Sequence, residues 1–130
     1  MYLLKTSGIV IDTVLCHQKH AFPSQPTDWE SGELLLISLN KADCKKGDKQ
    51  IYYTMRLADI RPLKEGEAER YWPANNGRLK YLFICEDVNL VRNPFDLRDV
   101  LGEEYKVYAP VAGFKKIAAG HEKKIQRMLA

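Results

Sequence analysis

Arg70-Tyr71-Trp72-Pro73-Ala74-Asn75-Asn76-Gly77-Arg78, running on through Leu79 to Val91, is the stretch on which the reading of this 130-residue chain turns. It joins an aromatic pair to a proline, an Asn-Asn-Gly turn signal, a basic lip at Arg78 and Lys80, and the buried strand Tyr81-Leu82-Phe83-Ile84-Cys85. Pro73 fixes the backbone directly after Trp72, so the aromatic loop is stiff where it leaves the strand. A large aromatic surface on a loop anchored to a rigid strand is what a binding site for a flat ring requires. The expectation is that Trp72 forms one wall of such a pocket.

Outward from this stretch, the chain reads as one domain over residues 1–130, long enough to bury a core without staples. With 45% hydrophobic and 28% charged residues the composition is that of a globular protein, not of a disordered or membrane chain. The net charge of +3 and a pI near 8.7 permit a polyanionic partner without requiring one. Cys16, Cys44 and Cys85 are too few and too scattered for a disulfide framework. The absence of a signal sequence or a long apolar run points to a soluble cytoplasmic protein with no membrane partner.

Tyr2 to Thr6 reads as a strand stopped by Thr-Ser-Gly, whereas Ile9 to Leu15 is β-branched yet also has a helical apolar face, and periodicity does not decide it. His17 to Trp29, with Pro23 and Pro26, reads as a structured loop. Gly32 opens an apolar strand to Leu39, and Gln50 to Ile60 alternates as a half-buried strand. The two form a hairpin with a basic tip at Lys45, Lys46 and Lys49. Leu63 to Arg70 is a charged excursion, Asn93-Pro94 opens a helix or turn closed by Gly102, and Tyr105 to Tyr108 reads as a short strand. Gly120 to Leu129 reads as a terminal helix with Ile125, Met128 and Leu129 toward the core. The fold class is α+β, a strongly curved antiparallel sheet or small β-barrel with flanking helices.

This order of parts resembles the PUA-like superfamily and, within it, the EVE and YTH domains. The resemblance is carried by Tyr2-Leu3-Leu4-Lys5-Thr6-Ser7, the aromatic loop His20-Ala21-Phe22-Pro23, Gly32-Glu33-Leu34, Gln50 to Pro62, Tyr71-Trp72-Pro73, Gly77-Arg78 with the following strand, and Gly113-Phe114-Lys115-Lys116-Ile117. It spans nearly the whole chain as a succession of weak motifs, with Phe22 where those families commonly place a tryptophan. It implies a non-catalytic nucleic-acid-binding module, DNA preferred and RNA the alternative, that reads a modified base flipped into an aromatic pocket. McrB-type modification-dependent restriction enzymes carry such modules at their N-terminus, which implies further domains in a larger chain.

In this reading Trp72 and Phe22 sandwich the base, with Trp29 and Tyr71 as supports or as alternative walls. Arg78, Lys80, Lys115, Lys116, Lys123, Lys124 and Arg127, together with Lys45 and Lys46, contact phosphates. Cys16-His17-x-x-His20 with Cys44 offers ligand atoms but lacks a second spaced pair, so neither a metal nor a cofactor is expected. No nucleophile elbow, phosphate loop or nuclease-like carboxylate set is present, so no enzyme is expected. A peptide-binding module is the reading from a different class.

Overall fold

The computed structural model describes residues 1–8, 11–73 and 77–130. Six strands, Tyr2–Thr6 (β1), Lys19–Phe22 (β2), Leu34–Leu39 (β3), Ile51–Pro62 (β4), Tyr81–Phe95 (β5) and Phe114–Lys116 (β6), make one sheet in the order β2-β5-β4-β3-β1-β6. Among the described residues, four helices accompany it: Ile11–His17 (α1), Glu67–Tyr71 (α2), Leu97–Leu101 (α3) and Ala119–Leu129 (α4). Short 3₁₀ segments cover Lys41–Asp43 and Gly102–Val107. Neighbouring strands are antiparallel except β1 and β3, which run parallel. A parallel pair needs a long crossover, and this one contains α1 and β2.

Successive residues of a strand face opposite sides, and here both sides are covered. Leu4, Leu35, Ile37, Met55, Leu57 and Phe83 fill the inside of the sheet. Leu3, Leu36, Ile51 and Phe95 lie on the outside, beneath Leu97, Tyr105, Tyr108 and Ile125. That is why β1 and β3 read as nearly unbroken apolar runs. β4 and β5 pair over most of their length with register shifts at three places. Extra residues on one strand of a pair bend it and increase its twist, so this hairpin bends the sheet into a curled half-barrel.

The curl brings the two edge strands together. Phe22 of β2 stands 5.2 Å from Phe114 of β6, and Phe83 of β5 lies 4.8 Å from Phe22 and 5.3 Å from Phe114. Gly113 makes room for this seam. Its φ is 85°, and a Cβ there would meet Phe22 Cδ1 at 3.2 Å.

Four segments differ from expectation, one of them Asn93-Pro94, which lies inside β5 and does not open a helix, and the ambiguous stretch 9–15 is resolved. The region 17–29 is not all loop: Lys19–Phe22 is a strand, hidden in the sequence because Lys19 and His20 break the apolar pattern. Tyr105 to Tyr108 is no strand, because two tyrosines three apart eclipse in a 3₁₀ turn, and both pack on the outer core. The excursion 63–70 contains the start of α2. Ile11–His17 resolves the ambiguity of 9–15 as helix, while Ile9, Val10 and the Asn75-Asn76 part of the turn signal lie outside the described residues.

Replacing Gly113 by Ala combines a left-handed backbone with a clash against Phe22, and destabilisation by about 1–3 kcal/mol is expected. Gly120 lies within α4 with open space about it, so Gly120→Ala is expected to stabilise by about 0.5–1 kcal/mol. Urea unfolding midpoints of the two variants against the parent chain check both signs.

Candidate functional site

β2 carries the site. Gln18, at φ 54°, turns the chain out of α1, and its carbonyl accepts the Cys85 N–H at 2.8 Å. Pro23 follows the strand directly. Along β2, His20 and Phe22 point to one side and Lys19 and Ala21 to the other. The His20 ring lies flat on Phe22, 4.1 Å between centroids at an interplanar angle of 3°.

α2 delivers the second half. Arg61 at the end of β4 donates twice to the Glu67 carboxylate, at 2.7 and 2.8 Å, and the Lys64 N–H donates to the same group at 2.6 Å. The Arg61 hydrogen bonds hold the Glu67 carboxyl down at about 2. Held this way, α2 ends with the Trp72 N–H donating to the Ala68 carbonyl at 2.8 Å, which carries the indole inward. Trp72 packs with Ala21 and Leu82 and lies 6.5 Å from the His20 ring.

The open sandwich expected of Phe22 and Trp72 is thus absent from this conformation. Both rings are buried, at 4% and 3% exposure, and the chain's own His20 occupies the aromatic cluster with them. Burial lowers the His20 pKa to about 4. Its Nδ1 donates to the Ala21 carbonyl at 3.0 Å, which leaves Nε2 as an acceptor. Among the described residues, neither His20 Nε2 nor the Trp72 indole N–H has a partner.

Tyr71 remains half-buried at the surface. Its ring lies 5.5 Å from Trp72 and 5.0 Å from His17, with the Lys19 ammonium 5.2 Å and the Arg70 guanidinium 5.3 Å from its centroid. Arg78 and Lys80 are exposed at the start of β5, and the Lys80 N–H donates to the Phe22 carbonyl at 3.0 Å, which ties that basic lip to β2. Trp29 packs against the inner core instead of joining the cluster.

The remaining basic candidates scatter. Lys116 pairs with Asp28 at 2.7 Å and Lys124 with Glu104 at 3.4 Å. Lys123 and Arg127 are exposed on α4, which packs on the outer face of the sheet, and Lys45 and Lys46 project from the β3–β4 tip. Lys115 is half-buried on β6. The structure therefore brings Phe22, His20 and Trp72 into one aromatic cluster with Tyr71, Lys19 and Arg70 beside it, while Arg78 and Lys80 lie at the Phe22 end of β2, tied to it through the Lys80 backbone. The signal for His20 was its position two residues before Phe22, the spacing that puts both on one face of a strand.

Among the described residues, no group of three or more histidine, cysteine and acidic side chains is arranged to hold a metal, and no helix is long and apolar enough to cross a membrane. The three cysteines are free, and burial pushes the Cys85 thiol up to about 12.

A curled six-stranded sheet with a C-terminal helix packed outside defines a small α+β protein of PUA-like fold. Solved structures of an ASCH protein share it. The crystal structure of ASCH from Zymomonas mobilis matches with a TM-score of 0.67 at 10% identity, over 99% of this chain and 95% of that one. Two single-substitution variants of that protein match with a TM-score of 0.66, at 10% and 11% identity, over 99% of this chain and 98% and 96% of theirs. No protein-family model and no curated protein matches the sequence.

The buried cluster has a consequence for pH. Unfolded His20 titrates near 6.5 and folded His20 at about 4, so between these values the unfolded state binds more protons and stability rises with pH. The contribution, on the order of 3 kcal/mol, is complete above pH 6.5. His20→Phe is expected to flatten the dependence of Tm on pH between 5 and 6.5, a window clear of Glu67, whose contribution is lost only at lower pH.

Proposed function

We propose that the chain is a nucleic-acid-binding module that engages a single strand or an extruded base at the Tyr71 platform, and that it is not itself catalytic. The observation that carries this reading is the ring of Tyr71 at the surface with two cations, Lys19 and Arg70, against it, and with Arg78 and Lys80 at the neighbouring end of β5. Nucleic-acid strands are held by this combination, since a base stacks on the aromatic face while cations neutralise the backbone. Each stacked base contributes about 1–3 kcal/mol. The PUA-like fold is consistent with this use, though a fold does not fix a function.

The narrower form of the proposal is recognition of a modified base in DNA, as the specificity module of a modification-dependent restriction system. The two buried nitrogens that lack a partner among the described residues favour it. His20 Nε2 can accept and Trp72 Nε1–H can donate, and a base edge presents both complementary groups. Reaching them requires the Trp72 ring to move, at a cost that the bound base must offset.

A binding series by fluorescence anisotropy tests the reading, with single- and double-stranded DNA and RNA, modified and unmodified, at several salt concentrations. Affinity for single strands is expected to fall with salt. Tyr71→Ala is expected to cost about 1–3 kcal/mol, and Lys19→Ala or Arg70→Ala to flatten the salt slope by about one unit each. A preference for modified duplex DNA over its unmodified form supports the narrower proposal, and a preference for RNA replaces it with RNA recognition. Salt-independent binding to peptides in place of nucleic acid would replace the whole reading.

A further inference from the structure

Away from the aromatic cluster, the outer face of the sheet holds a groove of about 280 Å³ where β3, the middle of β4 and β5, and the end of α4 meet. Leu34, Arg56, Asp87, Asn89, Leu90 and Arg92 line it. We propose that this groove binds a nucleotide phosphomonoester, either as a free nucleoside monophosphate or as the phosphorylated end of a strand.

Three features converge there. The first is backbone strain. Asp87 has a φ of 53°, in the left-handed region that non-glycine residues seldom adopt, in the middle of a long strand. The strain accompanies a bulge, because β4 advances two residues from Thr54 to Arg56 while β5 advances three from Glu86 to Asn89. Bulges and strained residues of this kind gather where a strand re-aims side chains at a ligand. The Asn89 side-chain amide donates to the Asp87 carbonyl at 3.0 Å and holds the bulge in shape.

The second feature is charge. Arg56 and Arg92 come from adjacent strands to one groove, and both are exposed. Arg56 spends one N–H on the Gly32 carbonyl at 3.0 Å, and neither arginine makes an ion pair among the described residues. Their remaining N–H groups form forks suited to phosphate oxygens. Asp87 supplies an acceptor on the same lining, which complements the hydroxyls of a sugar or the amino group of a base and not the phosphate itself.

The third feature is an apolar patch beside the charges. Leu90 is 69% exposed, among the few large hydrophobic side chains that are, and Leu34 lines the same groove. An apolar floor next to two guanidinium groups fits a base beside its phosphate. The volume lies below that of pockets that take drug-sized ligands and suits a single nucleotide unit.

The test is calorimetric titration of the full chain with adenosine 5′-monophosphate, adenosine and inorganic phosphate, and with a short oligonucleotide carrying or lacking a 5′-phosphate. Saturable binding of the monophosphate or the phosphorylated oligonucleotide is expected, weakened about tenfold by Arg92→Gln or Arg56→Gln, as loss of one charge-assisted contact requires. Arg98→Gln, on α3, is expected to leave it unchanged. Arg92 is exposed and its side chain makes no hydrogen bond or ion pair among the described residues, so its variant reads the site even if Arg56→Gln destabilises the sheet. Tyr71→Ala is expected to leave monophosphate binding intact, which separates this site from the aromatic platform. Absence of saturable binding, an Arg92→Gln variant that binds normally, or inorganic phosphate binding as tightly as the nucleotide would each overturn the proposal.

Discussion

The contact between Phe22 and Phe114, where β2 and β6 meet, is the constraint on which the rest of the structure depends. A six-stranded sheet with these edges stays open unless it is bent, and the bending is distributed along β4 and β5 as three register shifts. The bend brings the edges close enough for Phe22 to pack edge-on against both Phe83 and Phe114, a geometry aromatic pairs favour, while Phe83 and Phe114 lie tilted to one another. Gly113 is where the closure is tightest, since a side chain there would take the space that Phe22 occupies. Without the seam, β2 would lose the support of the inner core on the side where Phe22 sits.

The aromatic cluster is a consequence of that seam. Phe22 faces inward to close the sheet, so His20, two residues earlier on the same side of the strand, is carried into the interior and covers the Phe22 ring. Trp72 then packs over Ala21 and Leu82, delivered by a short helix held through the Arg61–Glu67 pair. A five-residue helix does not stand alone in water, so its two hydrogen-bonded anchors and the burial of Trp72 sustain it together. Tyr71, one residue before Trp72, is left at the surface between cations. A packing requirement in the core thus places a ring with attached charge on the outside, the arrangement the proposed function uses.

Much of this was readable in the residues. The hairpin of β3 and β4, the long β5 and the terminal helix rest on strong periodicity, and β3 showed by its nearly unbroken apolar run that both of its faces would be covered. That Phe22 and Trp72 come near one another was also legible, because each precedes a proline in an aromatic-bearing segment, but they do so through His20 and in separate packing clusters. What stayed hidden was the state of that site. His20 looks polar in a sequence, and its burial follows only from stacking between rings that are distant along the chain. The neighbouring Pro73 marked Trp72 as a loop residue, and its burial depends on α2, whose anchoring by Arg61 spans six residues. The strand β2 was missed for the same cause, since Lys19 and His20 break the alternation that marks a strand.

Amide chemical-shift mapping on titration with a single-stranded oligonucleotide tests the central claim most directly. The account predicts that the largest changes fall on β2, on Arg70, Tyr71 and Trp72, and on Arg78 to Lys80, in one contiguous surface. Changes confined to the β3–β4 tip or to α4, with β2 and Tyr71 silent, would contradict it.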